Sequence, residues 1–192
     1  TIPTCLEALL HATPESRRLA ARGLAAASAR SDSAFPRLLA LLEDADPEIR
    51  RLAAAGVRCP TESTLPLLLA ALSHDNPFVR ETAARAFGGA KDLAPESVVA
   101  LSRLLLDDYR EVRLATAEAL GSLAECAAPV VPALARALKD HDADVRSEAA
   151  MALRGIGPAA REALPALEEA LLRCDEREAS DLQEAIDRIR GR

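Results

Sequence analysis

The 192-residue sequence predicts an all-α solenoid of six antiparallel helix pairs, on three observations. Arg17, Arg50, Arg80, Arg113 and Arg146 recur at intervals of 33, 30, 33 and 33 residues, the last four directly after Ile49, Val79, Val112 and Val145. Fourteen residues before each arginine stand Pro3, Pro36, Pro66, Val99 and Pro132, and Pro165 opens a sixth unit. No alternation of apolar and polar residues is long enough to suggest a strand. A fixed period of this length marks an array in which each unit buries its apolar face on its neighbours. The predicted repeats are 1–33, 34–63, 64–96, 97–129, 130–162 and 163–192, together one elongated domain, 1–192.

Each unit opens with a short amphipathic helix. Leu9, Leu42, Leu72, Leu105, Leu138 and Leu171 follow Cys5, Leu38, Leu68, Leu101, Leu134 and Leu167 by four residues, a spacing that puts each pair on one helical face. A polar turn follows, as in Glu43-Asp44-Ala45-Asp46-Pro47 and His74-Asp75-Asn76-Pro77, with proline where the first turn of a second helix accepts it. The second helix carries Ile49, Ala53, Ala54 and Val57, and the equivalent stripes are Val79, Ala83, Ala84, Phe87; Val112, Thr116, Ala117, Leu120; and Val145, Ala149, Ala150, Leu153. Small residues in mid-stripe let helices approach at the near end of the usual ~8–10 Å range. Gly88, Gly89, Gly121, Gly155 and Gly157 are expected to stop these helices. Gly56 to Pro60 and the stretch from Gly88 to Pro95 read as local bends.

A proline-bearing helix, an Asp-rich turn and a Val-Arg-x-x-Ala-Ala-x-Ala-Leu-Gly helix resemble the HEAT repeat, in particular its short bacterial form named after phycobilisome lyases. The resemblance covers nearly the whole chain and implies a right-handed α-solenoid. It also implies a ladder linking a turn aspartate to the arginine of the second helix. The matching positions are Asp44 with Arg50, Asp107 with Arg113 and Asp140 with Arg146, while Arg80 has His74 at the aspartate position and Arg17 has His11. The sixth unit has Arg173 and then Ala179. The ladder is therefore expected to be interrupted, weakest at the ends, and structural in role.

Composition narrows the function classes. Aromatic residues make up 2% of the chain and the formal charge is −6, which argues against nucleic-acid binding, including the basic, aromatic-bearing concave surface of HEAT-like alkylpurine DNA glycosylases. No apolar run approaches the ~20 residues of a membrane helix. Cys5, Cys59, Cys126 and Cys174 lie in different repeats with no Cys-x-x-Cys pair, which suits a reduced, cytoplasmic protein without disulfide or zinc site. The polar helix from Asp181 to Arg188 reads as a cap on a true terminus, whereas the start at Thr1-Ile2-Pro3 reads as excised from something longer.

Candidate chemistry is sparse. His11, His74 and His141 fall in turns about two repeats apart, too far to share a metal. HEAT-like deoxyhypusine hydroxylases hold iron with His-Glu pairs, and this sequence has none, only His74-Asp75 and His141-Asp142. No nucleophile elbow, His-Glu-x-x-His or phosphate-binding glycine loop is present. Phycobilisome lyases attach bilins, but no bilin pocket is specified. The sequence therefore predicts no catalytic residue and no cofactor.

What remains is a binding role. In HEAT arrays the second helices line the concave face, so the outward second-helix positions form the candidate partner surface: Arg18, Arg22, Arg51, Arg58 and Arg85 in the first three repeats, then Leu114, Glu118, Met151 and Arg154. Residues 1–96 hold 11 basic and 12 acidic groups and residues 97–192 hold 13 and 18, the same tilt. These positions predict a monomeric scaffold for a protein or peptide whose acidic segment meets the arginines through their planar forks and whose apolar anchor rests near Leu114 and Met151. The alternative is an architectural or self-associating module of a larger protein.

Overall fold

The computed structural model describes residues 13–58, 60–90, 93–174 and 176–191. The expectations for Pro3, Cys5, Leu9, His11 and Cys59 lie outside the described residues. Among the described residues every regular element is helical, and the elements gather into two compact units, Thr1–Ala86 and Phe87–Arg192.

The first unit holds α1 (Pro14–Ser28), α2 (Phe35–Leu41), α3 (Pro47–Gly56) and α4 (Leu65–Ala71), and α5 (Pro77–Phe87) runs to its boundary. Helix α1 packs along α3, and α2 packs against both. The second unit holds α6 (Pro95–Ser102), α7 (Arg110–Leu123), α8 (Val131–Ala137), α9 (Ala143–Ile156), α10 (Leu164–Leu171) and α11 (Glu176–Arg190). Its second helices form a row, α9 lying between α7 and α11, and α6, α8 and α10 each pack on the following second helix. First helices and second helices are thus separate layers of the unit.

The core follows the repeat register. Leu38, Leu42, Leu68, Leu72, Leu101, Leu105, Leu134, Leu138 and Leu167 are buried in the first-helix layer. The second-helix stripes from Ile49 to Leu153 bury against them, with Ala54 half-buried. The one hydroxyl on these stripes, Thr116, is satisfied by donating to the Val112 carbonyl at 2.7 Å. In α11 the buried face is Leu182, Ala185, Ile186 and Ile189, while Gln183, Glu184, Arg188 and Arg190 stay in solvent.

Turn chemistry sets where second helices begin. Asp46 and Asp142 cap α3 and α9 by accepting the backbone N–H of Glu48 (2.9 Å) and Asp144 (3.1 Å), and Asn76 accepts that of Phe78 at 2.9 Å. Proline then occupies the first position of α3 and α5, where no intrahelical N–H bond is lost.

Gly121 and Gly155 correct one expectation. They do not stop their helices, for α7 continues to Leu123 and α9 to Ile156. They are contact positions instead: a Cβ on Gly155 would lie 3.4 Å from the Gly121 carbonyl oxygen, and one on Gly121 would lie 3.5 Å from Ala152 Cα. The stop comes two or three residues later, at Ala124 and Gly157, both at positive φ. Gly56 is tighter still, with a Cβ there meeting Ala25 Cα at 2.7 Å.

Candidate binding faces

The periodic arginines reach in two directions. One Nη donates to carbonyls of the arginine's own turn: Arg50 to Asp44 (2.7 Å) and Ala45, Arg80 to His74 (2.7 Å) and Asp75, Arg113 to Asp107 (2.9 Å) and Asp108, and Arg146 to Asp140 (2.8 Å). In three of the periodic arginines the guanidinium also meets a carboxylate of the following repeat. Arg17 binds Asp44, Arg113 binds Asp140 at 2.8 Å, and Arg146 binds Glu178. The side-chain pairs therefore connect residues 27 or 32 apart in sequence, while within a repeat the six-residue spacing brings the arginine to backbone oxygens.

Each turn aspartate has a second task. Asp44, Asp107 and Asp140 accept the N–H two residues on, at 2.9, 3.0 and 2.9 Å. His74 does the same with its ring, Nδ1 accepting from Asn76 N–H at 3.1 Å. Histidine thus replaces the turn function of aspartate but supplies no carboxylate to Arg50. In the last repeat Glu178 occupies the position held by Val145 one repeat earlier, and its buried carboxylate receives Arg146.

The outward arginines of the first unit have partners of their own. Arg18 donates to Asp46 at 2.7 Å, Arg51 binds Glu48 through both nitrogens (2.9 and 2.7 Å), Arg85 reaches Glu81 at 3.2 Å, and Arg58 donates to the Ala55 carbonyl. Hydrogen bonds from Arg18 and Arg51 hold the carboxyls of Asp46 and Glu48 below their ordinary range. Arg22 is exposed and forms no ion pair among the described residues.

In the second unit the row α7, α9, α11 presents an open groove of about 730 Å³. Glu118, Glu148, Met151, Arg154, Glu184 and Asp187 line it, with Arg154 bound to Glu184. Met151 is half-buried within the groove, and Leu114, half-buried on α7, does not line it. Burial, with the nearby carboxylates of Glu118, Asp181 and Asp144, pushes the Glu148 carboxyl above its ordinary value.

A family model for HEAT repeats matches residues 52–121 and 110–187. The chain belongs to the HEAT-repeat family. No curated protein matches it. Solved structures of similar fold include an engineered protein at 24% identity and TM-score 0.65, covering 99% of this chain and 96% of that one. A designed armadillo repeat protein in complex with the peptide (KR)4 matches at 19% identity and TM-score 0.66, covering 98% and 99%. Computationally designed armadillo repeat proteins for modular peptide recognition match at 19% and 0.61, covering 97% and 99%.

Within this HEAT-repeat protein no group of three or more His, Cys, Asp or Glu able to hold a metal occurs among the described residues. His141 lies in its turn with a ring nitrogen 3.0 Å from Arg113 Nη2, and Cys126 and Cys174 are free thiols. No helix among the described residues is long and apolar enough to cross a membrane.

Proposed function

We propose that this HEAT-repeat protein is a non-enzymatic interaction scaffold that holds a protein or peptide partner on its second-helix faces. The observation that carries this reading is the groove along α7, α9 and α11, whose lining is not consumed by the core. Met151 supplies an apolar anchor there, with Leu114 one turn before Glu118 on α7, and Glu118, Arg154 and Glu184 supply polar contacts around it. In the first unit an acidic segment of the partner meets Arg22 and Arg58 and competes with Asp46, Glu48 and Glu81 for Arg18, Arg51 and Arg85. Exposed pairs of that kind are worth only ~0–1 kcal/mol each, so exchanging them costs little. Peptide recognition by two designed structural neighbours is in keeping with a peptide occupant.

The scaffold acts as a monomer in a reducing compartment, with residues 1–192 unfolding as one domain. Light scattering and a single denaturant transition test those two statements. The partner reading is tested by affinity capture from the source cell with wild type and with the Arg51→Glu, Arg58→Glu, Arg85→Glu triple variant. The expected result is loss of a discrete partner at unchanged melting temperature. Identical captured proteins would remove the first-unit arginines from the binding face.

A further inference from the structure

The first-helix layer of the second unit carries a notch of about 260 Å³ between the fourth and fifth repeats. Val99, Leu105 and Leu106 line it from one repeat, and Ala133 and Ala137 from the next. Helix α6 ends at Ser102 and the chain tightens into a 3₁₀ turn, Arg103–Leu106, which buries Leu104 and Leu105 and turns Leu106 out to 75% exposure. The equivalent position holds Leu10, Glu43, Ser73, Lys139 and Leu172, so a leucine there is not a requirement of the repeat.

Arg103 and Arg136 frame the notch, and they too stand at one repeat position, occupied by Ala40 and Ala70 in earlier units. Both are exposed, neither forms an ion pair among the described residues, and no carboxylate lines the notch. Arg110, Arg113, Arg146, Arg154 and Arg190 of the same unit each bind a carboxylate, while Arg161 and Arg188, also without one among the described residues, do not line the notch. Two uncompensated guanidinium forks beside exposed apolar surface match carboxylates flanking an apolar side chain.

We propose that this notch docks an acidic segment of a partner protein, one apolar side chain entering beside Leu106 while flanking carboxylates engage Arg103 and Arg136. The site lies on the first helices and stands independently of the second-helix reading.

The probe is a short fluorescein-labelled glutamate peptide with one central leucine, titrated with the full chain and followed by anisotropy. Saturable binding is expected, weakened about tenfold or more by Arg103→Glu with Arg136→Glu, by Leu106→Asp, and by serine in place of the peptide's leucine. An Arg37→Glu, Arg161→Glu control, at two exposed arginines that line neither the notch nor the groove, should bind as wild type. Thermal melts establish that each variant is folded, and Arg103→Gln with Arg136→Gln replaces the charge reversal if that melts early. Absence of saturation, or equal affinity in the Arg103 and Arg136 variants, overturns the proposal. So does loss confined to a separate Arg22→Glu, Arg58→Glu variant, which would move the acidic segment to the second helices. Concentration-dependent dimerisation abolished by Leu106→Asp would assign the notch to a second copy and overturn it equally.

Discussion

Ala124 and Gly157 occupy the same repeat position and share one backbone conformation, φ 47° and ψ −121° in the first, φ 66° and ψ −137° in the second. Each ends a second helix and begins a 3₁₀ segment, Ala124–Val130 or Gly157–Ala163. Glycine adopts this region without cost, whereas a Cβ makes it strained. Ala124→Gly should therefore stabilise the protein by about 1 kcal/mol, and Gly157→Ala should destabilise it by about 1–2 kcal/mol. The nearest atom to a Cβ at Gly157 is Arg188 Nε at 3.9 Å, so that loss would be conformational rather than steric. Urea titrations of both variants measure the effect, and a destabilised Ala124→Gly protein would contradict the account.

Arg50 has no carboxylate partner among the described residues because His74 stands where Arg17 and Arg113 find aspartate. His74→Asp keeps the acceptor for the Asn76 N–H and adds the missing charge. A gain of about 1 kcal/mol is expected. The gain should disappear when Arg50 is replaced by methionine in a double-mutant cycle.

The Arg113–Asp140 pair is the opposite case, with side chains only 6% and 8% exposed. Asp140→Asn leaves a guanidinium buried without its counter-charge and should cost about 3–5 kcal/mol. The exposed Arg51–Glu48 pair should lose no more than about 1 kcal/mol on Arg51→Ala. Comparable losses at the two sites would refute the ranking by burial.

Glu148 supplies a pH signature. Its carboxyl is raised above the usual value of 4.5, so the folded protein binds this proton more tightly than the unfolded chain does. Stability from this group is full below that value and declines as pH rises towards the folded-state value. Glu148→Gln should accordingly raise the melting temperature at pH 7, with the difference shrinking as pH falls through 4.5. A constant difference across that range would point to a cause other than charge.

Helix pairing and core stripe were legible because periodic burial writes itself directly into sequence, as Val79, Val112 and Val145 show. The reach of the ladder was not. A six-residue spacing draws the eye to Asp44 and Arg50, yet the carboxylate that Arg17 binds belongs to the next repeat, a relation set by how helices stack. The end of the ladder did leave a trace, since an acid at Glu178, on the valine position of the stripe, needs a buried cation. Ala124 left none: alanine carries no mark of positive φ. Gly121 and Gly155 looked like helix stops because sequence alone does not tell a close contact from a termination. On the candidate faces, the outward register of Arg51 and Arg85 was readable, but their engagement by Glu48 and Glu81 depends on rotamers.

Where the ladder is complete, as at Arg113 and Arg146, the two-way arginine makes a unit both plug and socket. Its fork closes its own turn before it meets the unit that follows, and its turn offers the docking group for the unit that came before. Copies of one such repeat can be joined head to tail without redesigning the joint. The joint is also directional: trimming an array from its C-terminal end exposes a cation, whereas trimming from its N-terminal end exposes a carboxylate still held by its own turn.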